Sequence, residues 1–83
     1  MNAIVLRTQG DWKEVLELVV REDSHPPWAR FAKGQKTIVI RHSFGDEEHQ
    51  SGQVLPPISP KELLEFGEIC QRLGKELGGS DVE

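Results

Sequence analysis

The sequence predicts a two-layer α+β sandwich, in which two amphipathic helices cover one face of a mainly antiparallel three-stranded sheet. Three observations lead to this prediction. A β-branched run at 37–40 predicts a strand, a helix-start signature at 59–62 predicts a helix, and a length of 83 residues allows one domain. We expect a single compact domain over residues 1–79 in the order β-α-β-β-α, followed by a frayed tail over 80–83.

The N-terminal part predicts a strand and then a helix. Ala3–Arg7 is apolar and β-rich, and Gly10 bounds it. Asp11 and Glu14 have the spacing of a capping box, which favours a helix start. The next apolar residues follow the i, i+3, i+4, i+7 spacing of a helix face, at Trp12, Val15, Leu16 and Val19.

The middle of the chain predicts a break and then a hairpin. The pair Pro26-Pro27 must end the first helix, and Pro27 favours a short extra helical turn over 27–33. Lys36–Phe44 is the clearest strand, with Ile38, Ile40, His42 and Phe44 on one face. Residues 45–48 predict the hairpin tip and 49–55 the return strand, in which Gly52 indicates a bulge or a close backbone contact.

The C-terminal helix has the strongest local signals. Ser59, Pro60 and Glu62 combine an N-cap, a proline at the first helical position and the acidic partner of a capping box. Gly78-Gly79 predicts the end of the helix. Its apolar residues are spaced three and four apart, which predicts a buried face that includes the thiol: Leu63, Phe66, Cys70, Leu73 and Leu77.

Composition narrows the class of protein. The net charge of −4, from 10 basic and 14 acidic residues, argues against generic binding to nucleic acid. No apolar run approaches the roughly 20 residues that a membrane-spanning helix needs, so no membrane partner is expected. The single cysteine excludes an intrachain disulfide, and the N-terminus lacks the features of a signal peptide. We therefore expect a cytoplasmic protein.

No catalytic or cofactor motif is present, so we expect a protein that is not an enzyme and that holds no cofactor. The alternative is a small metal-binding protein or enzyme that uses His42, His49 and the acidic turn at 46–48. Hairpin pairing would have to bring the two histidines together for this alternative to hold.

A proline-aromatic segment is the first candidate contact with a partner. It joins two prolines, two aromatic rings and an arginine, which are residue types enriched in binding hot spots: Pro26, Pro27, Trp28, Arg30 and Phe31. The same residues could instead close one end of the core.

Two helix glycines are the second candidate contact. Gly67 and Gly74 fall about 20° apart on the helix and within its apolar face. Glycine costs about 1 kcal/mol relative to alanine in a helix, so a pair on one face indicates close approach of another backbone. That backbone could belong to the protein's own sheet or first helix, or to another chain, including a second copy.

These features predict a small acidic, non-enzymatic module that binds a protein partner. Inhibitors and accessory factors of the phage or mobile-element type, which dock on larger protein machines, share this profile. A homodimer through the C-terminal helix is one form that such binding could take. Nucleic-acid binding would depend on a short basic run within the acidic chain: Arg30, Lys33, Lys36 and Arg41.

Overall fold

A computed structural model describes residues 2–22 and 30–79. These residues form a four-stranded antiparallel sheet in the order β1-β2-β3-β4, followed by a helix. The α+β class is confirmed, whereas the predicted content of three strands and two helices is wrong. The elements are β1 Ala3–Gln9, β2 Trp12–Arg21, β3 Thr37–Gly45, β4 Gln50–Val54 and α1 Pro60–Glu76.

The predicted first helix is strand β2. It pairs with β3 along its length, from Lys13 opposite Gly45 to Arg21 opposite Thr37. The helical spacing is present in the sequence, but from Leu16 onward apolar residues also recur at every second position. This alternating set includes Leu18 and Val20, which do not belong to the predicted helical face. Central β-branched valines favour the strand as well. The alternating set lies on one sheet face at Trp12, Leu16, Leu18 and Val20.

A two-residue turn joins β1 to β2 and explains why Asp11 does not cap a helix. Gln9 pairs with Trp12, so Gly10 and Asp11 are the two turn residues. Gly10 has φ +60°, and no described residue other than glycine has a positive φ. This geometry fits a type II′ hairpin turn, which requires glycine at its first central position.

The second hairpin is confirmed. Alternate residues of β3 pair with alternate residues of β2 and therefore share one face of the sheet. On β3 these residues are Ile38, Ile40, His42 and Phe44. At the tip, the Asp46 carboxylate accepts hydrogen bonds from the backbone N–H groups of residues 48 and 49. The close backbone contact predicted at position 52 is also present, since a Cβ there would clash with the His42 carbonyl of β3.

Helix α1 begins and ends as predicted. The Ser59 hydroxyl accepts from the Glu62 N–H at 3.1 Å, and the Glu62 carboxylate accepts from the Ser59 N–H at 2.9 Å. At the other end Gly78 has φ +92°, and the N–H of Gly79 donates to the carbonyl of Gly74 at 2.8 Å. Together with the bond from the Gly78 N–H to the Lys75 carbonyl, this is a Schellman motif.

Two other predictions fall partly or wholly outside the described residues. The expected short helix at 27–33 overlaps residues 23–29, which are not described; residues 30–34 form bends and a turn rather than a helix. The tail predicted to fray, residues 80–83, also lies outside the described part of the chain.

The core lies at one end of the sheet. Among the described residues only Thr37, Ile38 and Val39 are buried, and α1 contributes no buried residue. Ile38 pairs with Ile58 just before the helix, and α1 comes close only to β3 among the named strands. The radius of gyration is 15.4 Å, against about 12 Å for a compact domain of this length. The second layer of the predicted sandwich is therefore incomplete.

The capping box makes Ser59 a measurable contributor to stability. Ser59→Ala removes the acceptor for the Glu62 N–H, and we expect the free energy of unfolding to fall by about 0.5–2 kcal/mol in a urea titration. Ser51→Ala, at an exposed position of β4, is the control and should change stability by less than about 0.5 kcal/mol. An equal effect of the two substitutions would show that the Ser59 hydroxyl does not stabilise the helix.

Candidate protein-interaction surface

One face of the sheet carries an open apolar groove. Residues that pair across antiparallel strands share a face, and this places Ile4, Leu16, Leu18 and Ile40 side by side. Phe66 of α1 borders the same groove, whose volume is about 350 Å³. We call this surface, formed by these five residues, the apolar groove.

This face of the sheet is only partly covered, since Leu16, Leu18 and Ile40 are half-buried. Ile4 keeps 59% of its surface exposed, and Val20, at the end of the same face of β2, keeps 60%. A sheet normally buries one face against a second layer, and here α1 covers only the part next to β3. The uncovered part belongs to β1 and β2.

Helix α1 continues the apolar surface beyond the sheet. Its hydrophobic residues recur along one side, yet Ile69 and Leu73 remain 43% and 44% exposed and Leu77 remains 85% exposed. We call this side the helix stripe and define it by Phe66, Ile69, Cys70, Leu73 and Leu77. The stripe is amphipathic in sequence but has no partner within the described chain over its C-terminal half.

The prediction that Cys70 is buried is wrong. Its thiol lies on the helix stripe, as expected, but the residue is exposed. The reason is that no residue of α1 is buried, so the side that carries Cys70 meets no core. Helical spacing correctly identified the apolar side of the helix and could not show whether that side was covered.

The two helix glycines face open space. Among the described residues, no atom lies within 4 Å of a Cβ built on Gly67 or Gly74, apart from the local helix backbone. The interpretation that they admit the protein's own sheet or first helix is therefore wrong. Contact with another chain stays a prediction.

Arg30 is held by the start of α1. Its guanidinium donates to both Glu62 carboxylate oxygens, at 2.7 and 2.9 Å, and to the Pro57 carbonyl at 3.4 Å. The hydrogen bond from Arg30 is the largest cause, and the backbone N–H of Ser59 the next, of a Glu62 pKa lowered to about 2. The same carboxylate in turn raises the pKa of Arg30. Glu62 thus joins the helix cap to the segment that precedes β3.

The other residues of the proline-aromatic segment are only partly described. Phe31 is half-buried, and the Arg30 guanidinium lies 4.7 Å from its ring centroid. Pro26, Pro27 and Trp28 lie outside the described residues. Their proposed contact with a partner stays a prediction.

Polar and aromatic residues border the apolar groove, and sequence reasoning missed them as a group. His42 lies opposite Leu16 and its Nε2 is 2.7 Å from the Glu14 carboxylate. The Phe44 ring lies 5.8 Å from His42 and 6.4 Å from Trp12. The signal was the alternation of β2, which places Trp12 and Glu14 beside the apolar residues of the same face.

The structure does not bring the proposed metal ligands together. His42 contacts Glu14, whereas His49 lies in the hairpin tip with its Nδ1 3.6 Å from Asp46 Oδ1. Within residues 2–22 and 30–79, no group of three His, Cys, Asp or Glu side chains could hold a metal ion. The described residues therefore offer no support for the metal alternative.

The basic run is partly neutralised by carboxylates. Arg30 is paired with Glu62, and Arg41 is paired across the sheet with Glu17, to which its Nε donates at 2.7 Å. Lys33 and Lys36 are exposed. Paired arginines contribute little net positive charge to a phosphate-binding surface.

Comparison with protein-family models, curated proteins and solved structures finds no significant match to this chain. Among the described residues, no helix has both the length and the apolarity needed to cross a membrane.

The lowered pKa of Glu62 predicts a specific acid sensitivity. An unfolded glutamate titrates near pH 4.3, and the folded pKa is about 2, so its stabilising effect is complete above about pH 5 and is lost as pH falls towards 2. Glu62→Gln keeps a cap for the Ser59 N–H but removes the charge. We expect its melting temperature to fall less than that of the parent protein between pH 5 and 2.

Arg30→Gln provides the matched test, because it removes the main cause of the lowered pKa. Its melting temperature should also depend less on pH between pH 5 and 2. Parallel melting curves of the parent and both variants across this range would contradict the role of the pair.

Proposed function

We propose that this protein is a non-enzymatic protein-binding module whose contact surface is the apolar groove together with the helix stripe. The observation that carries the proposal is the set of exposed hydrophobic side chains at the edge of the groove and along the stripe, Ile4, Phe66, Ile69, Leu73 and Leu77, with the half-buried Leu16, Leu18 and Ile40 between them. Isolated exposed hydrophobic residues are ordinary, whereas a contiguous patch of several hundred Å² marks an interaction site.

The composition of the surface supports a protein partner over other ligands. The groove is shallow and open, unlike the enclosed pockets that bury most of a small ligand. It contains no cluster of free cations for a phosphate backbone, and Glu14 and Glu17 lie on the strand that crosses it. An apolar centre bordered by aromatic and charged residues is typical of protein interfaces.

The paired arginines also fit this proposal. Arg30 and Arg41 each stabilise a local part of the fold through a carboxylate. Binding of a partner would therefore depend on the burial of apolar area, which is the main source of affinity in protein association.

Photo-crosslinking in the cells that express the protein tests the proposal. A benzophenone amino acid at position 73, on the helix stripe, should form discrete covalent adducts with protein after irradiation. The control places it at Glu68, on the polar side of the same helix, and should form few adducts. Equal yields at both positions, or none at position 73, would contradict the proposed surface.

A further inference from the structure

We propose that the partner for this surface is a second copy of the chain, packed face to face about a two-fold axis so that its α1 enters the apolar groove. This inference rests on the proposed function and names the occupant of the same surface. It follows from the width of the uncovered sheet, from the area exposed, and from the absence of another covering element in the described chain.

The uncovered part of the sheet has the width of one helix. Strands lie about 4.8 Å apart and a helix with its side chains is about 10 Å across, so one helix covers roughly two strands. Helix α1 lies next to β3, and the exposed apolar residues Ile4 and Val20 belong to β1 and β2. A second helix would complete the layer, and residues 2–22 and 30–79 contain only α1.

The helix stripe of a second copy can provide the apolar helix that would cover the groove. Beyond Phe66 the stripe presents Ile69, Leu73 and Leu77, which remain 43%, 44% and 85% exposed. Each copy therefore exposes both an open apolar groove and an unpartnered apolar helix. A two-fold dimer satisfies both at once, because each helix covers the other copy's groove and the interface is self-complementary.

The chain exposes enough surface for a stable dimer. A standard interface buries about 800 Å² per partner. Ile4, Phe66, Ile69, Leu73 and Leu77 each keep between 43% and 85% of their surface exposed. The chain as a whole exposes 7032 Å², whereas a folded monomer of 9.4 kDa exposes about 5000 Å².

The open glycines allow the two helices to come close. Gly67 and Gly74 have free space above the helix, so a neighbouring helix meets no side chain there. They do not carry the inference, but they remove a steric barrier to it.

Light scattering after gel filtration, from about 1 to about 100 µM, tests the dimer. We expect the parent protein to have twice the chain mass of 9.4 kDa. Leu73→Glu places a charge in the interface and should weaken the dimer at least about tenfold, with an unchanged circular dichroism spectrum. Leu64→Glu is the matched control, because Leu64 is 72% exposed and lies off the stripe, and it should remain dimeric.

Labelling of Cys70 by a thiol reagent provides a second readout on the parent protein. The thiol lies on the stripe and is exposed in the single chain, so labelling should slow as concentration rises through the dimer range. If Leu73→Glu does not fold, Ile4→Glu on the exposed edge of the groove takes its place. A monomeric parent at 100 µM, a dimer insensitive to the folded variant, or labelling that is independent of concentration would each overturn the inference.

The two proposals fail in different ways. Crosslinks from position 73 to a different protein, together with a monomeric parent, would overturn the dimer and leave the binding module intact. A monomeric parent with no crosslinks from position 73 would overturn both.

Discussion

The constraint on which this structure depends is that one helix cannot cover four strands. Strands β1, β2 and β3 each carry a run of apolar residues, and the strands pair in sequence order. The backbone of the helix lies closest to β3, and among the described residues only Thr37, Ile38 and Val39 are buried. A core of this size contributes little to the roughly 5–15 kcal/mol by which folded domains are stable.

Local polar interactions fix the helix where the core does not. Glu62 accepts hydrogen bonds from the Ser59 N–H and from the Arg30 guanidinium, and so sets both the first helical turn and its attachment to the segment before β3. The bridge between Ile38 and Ile58 holds the chain just ahead of that turn. Each of these contacts lies at the N-terminal end of α1, whereas the helix stripe beyond it remains exposed.

Local signals in the sequence correctly predicted a structural element where single residues determine the backbone geometry. Ser59, Pro60 and Glu62 predicted the helix start, Gly78 its end, and the β-branched run in β3 the strand and its two faces. The predicted first helix failed because Trp12 and Leu16 belong both to the helical face and to the alternating face of a strand. The deciding information was the Gly10-Asp11 turn, a recognised two-residue hairpin signal, together with Leu18 and Val20.

Local signals in the sequence could not show what covers the apolar side of a helix. Phe66, Cys70 and Leu73 share an amphipathic side whether that side meets a sheet, a second chain or water. The burial expected for Cys70 assumed a partner within the chain, and the same assumption gave Gly67 an internal contact. Tertiary placement decides these points, and it depends on strand β2 having taken the place of the expected first helix in the chain order.

The border of the apolar groove gives this surface a means of selecting its partner. Glu14 and His42 hold each other at 2.7 Å directly beside Leu16, and the rings of Trp12 and Phe44 continue the same side of the sheet. Apolar area provides affinity for many surfaces, but a hydrogen-bonded polar pair at its edge is costly to cover unless the partner also satisfies those polar groups. In the proposed interface, the apolar groove would therefore supply the free energy of binding and its polar border would restrict which surface can bind there.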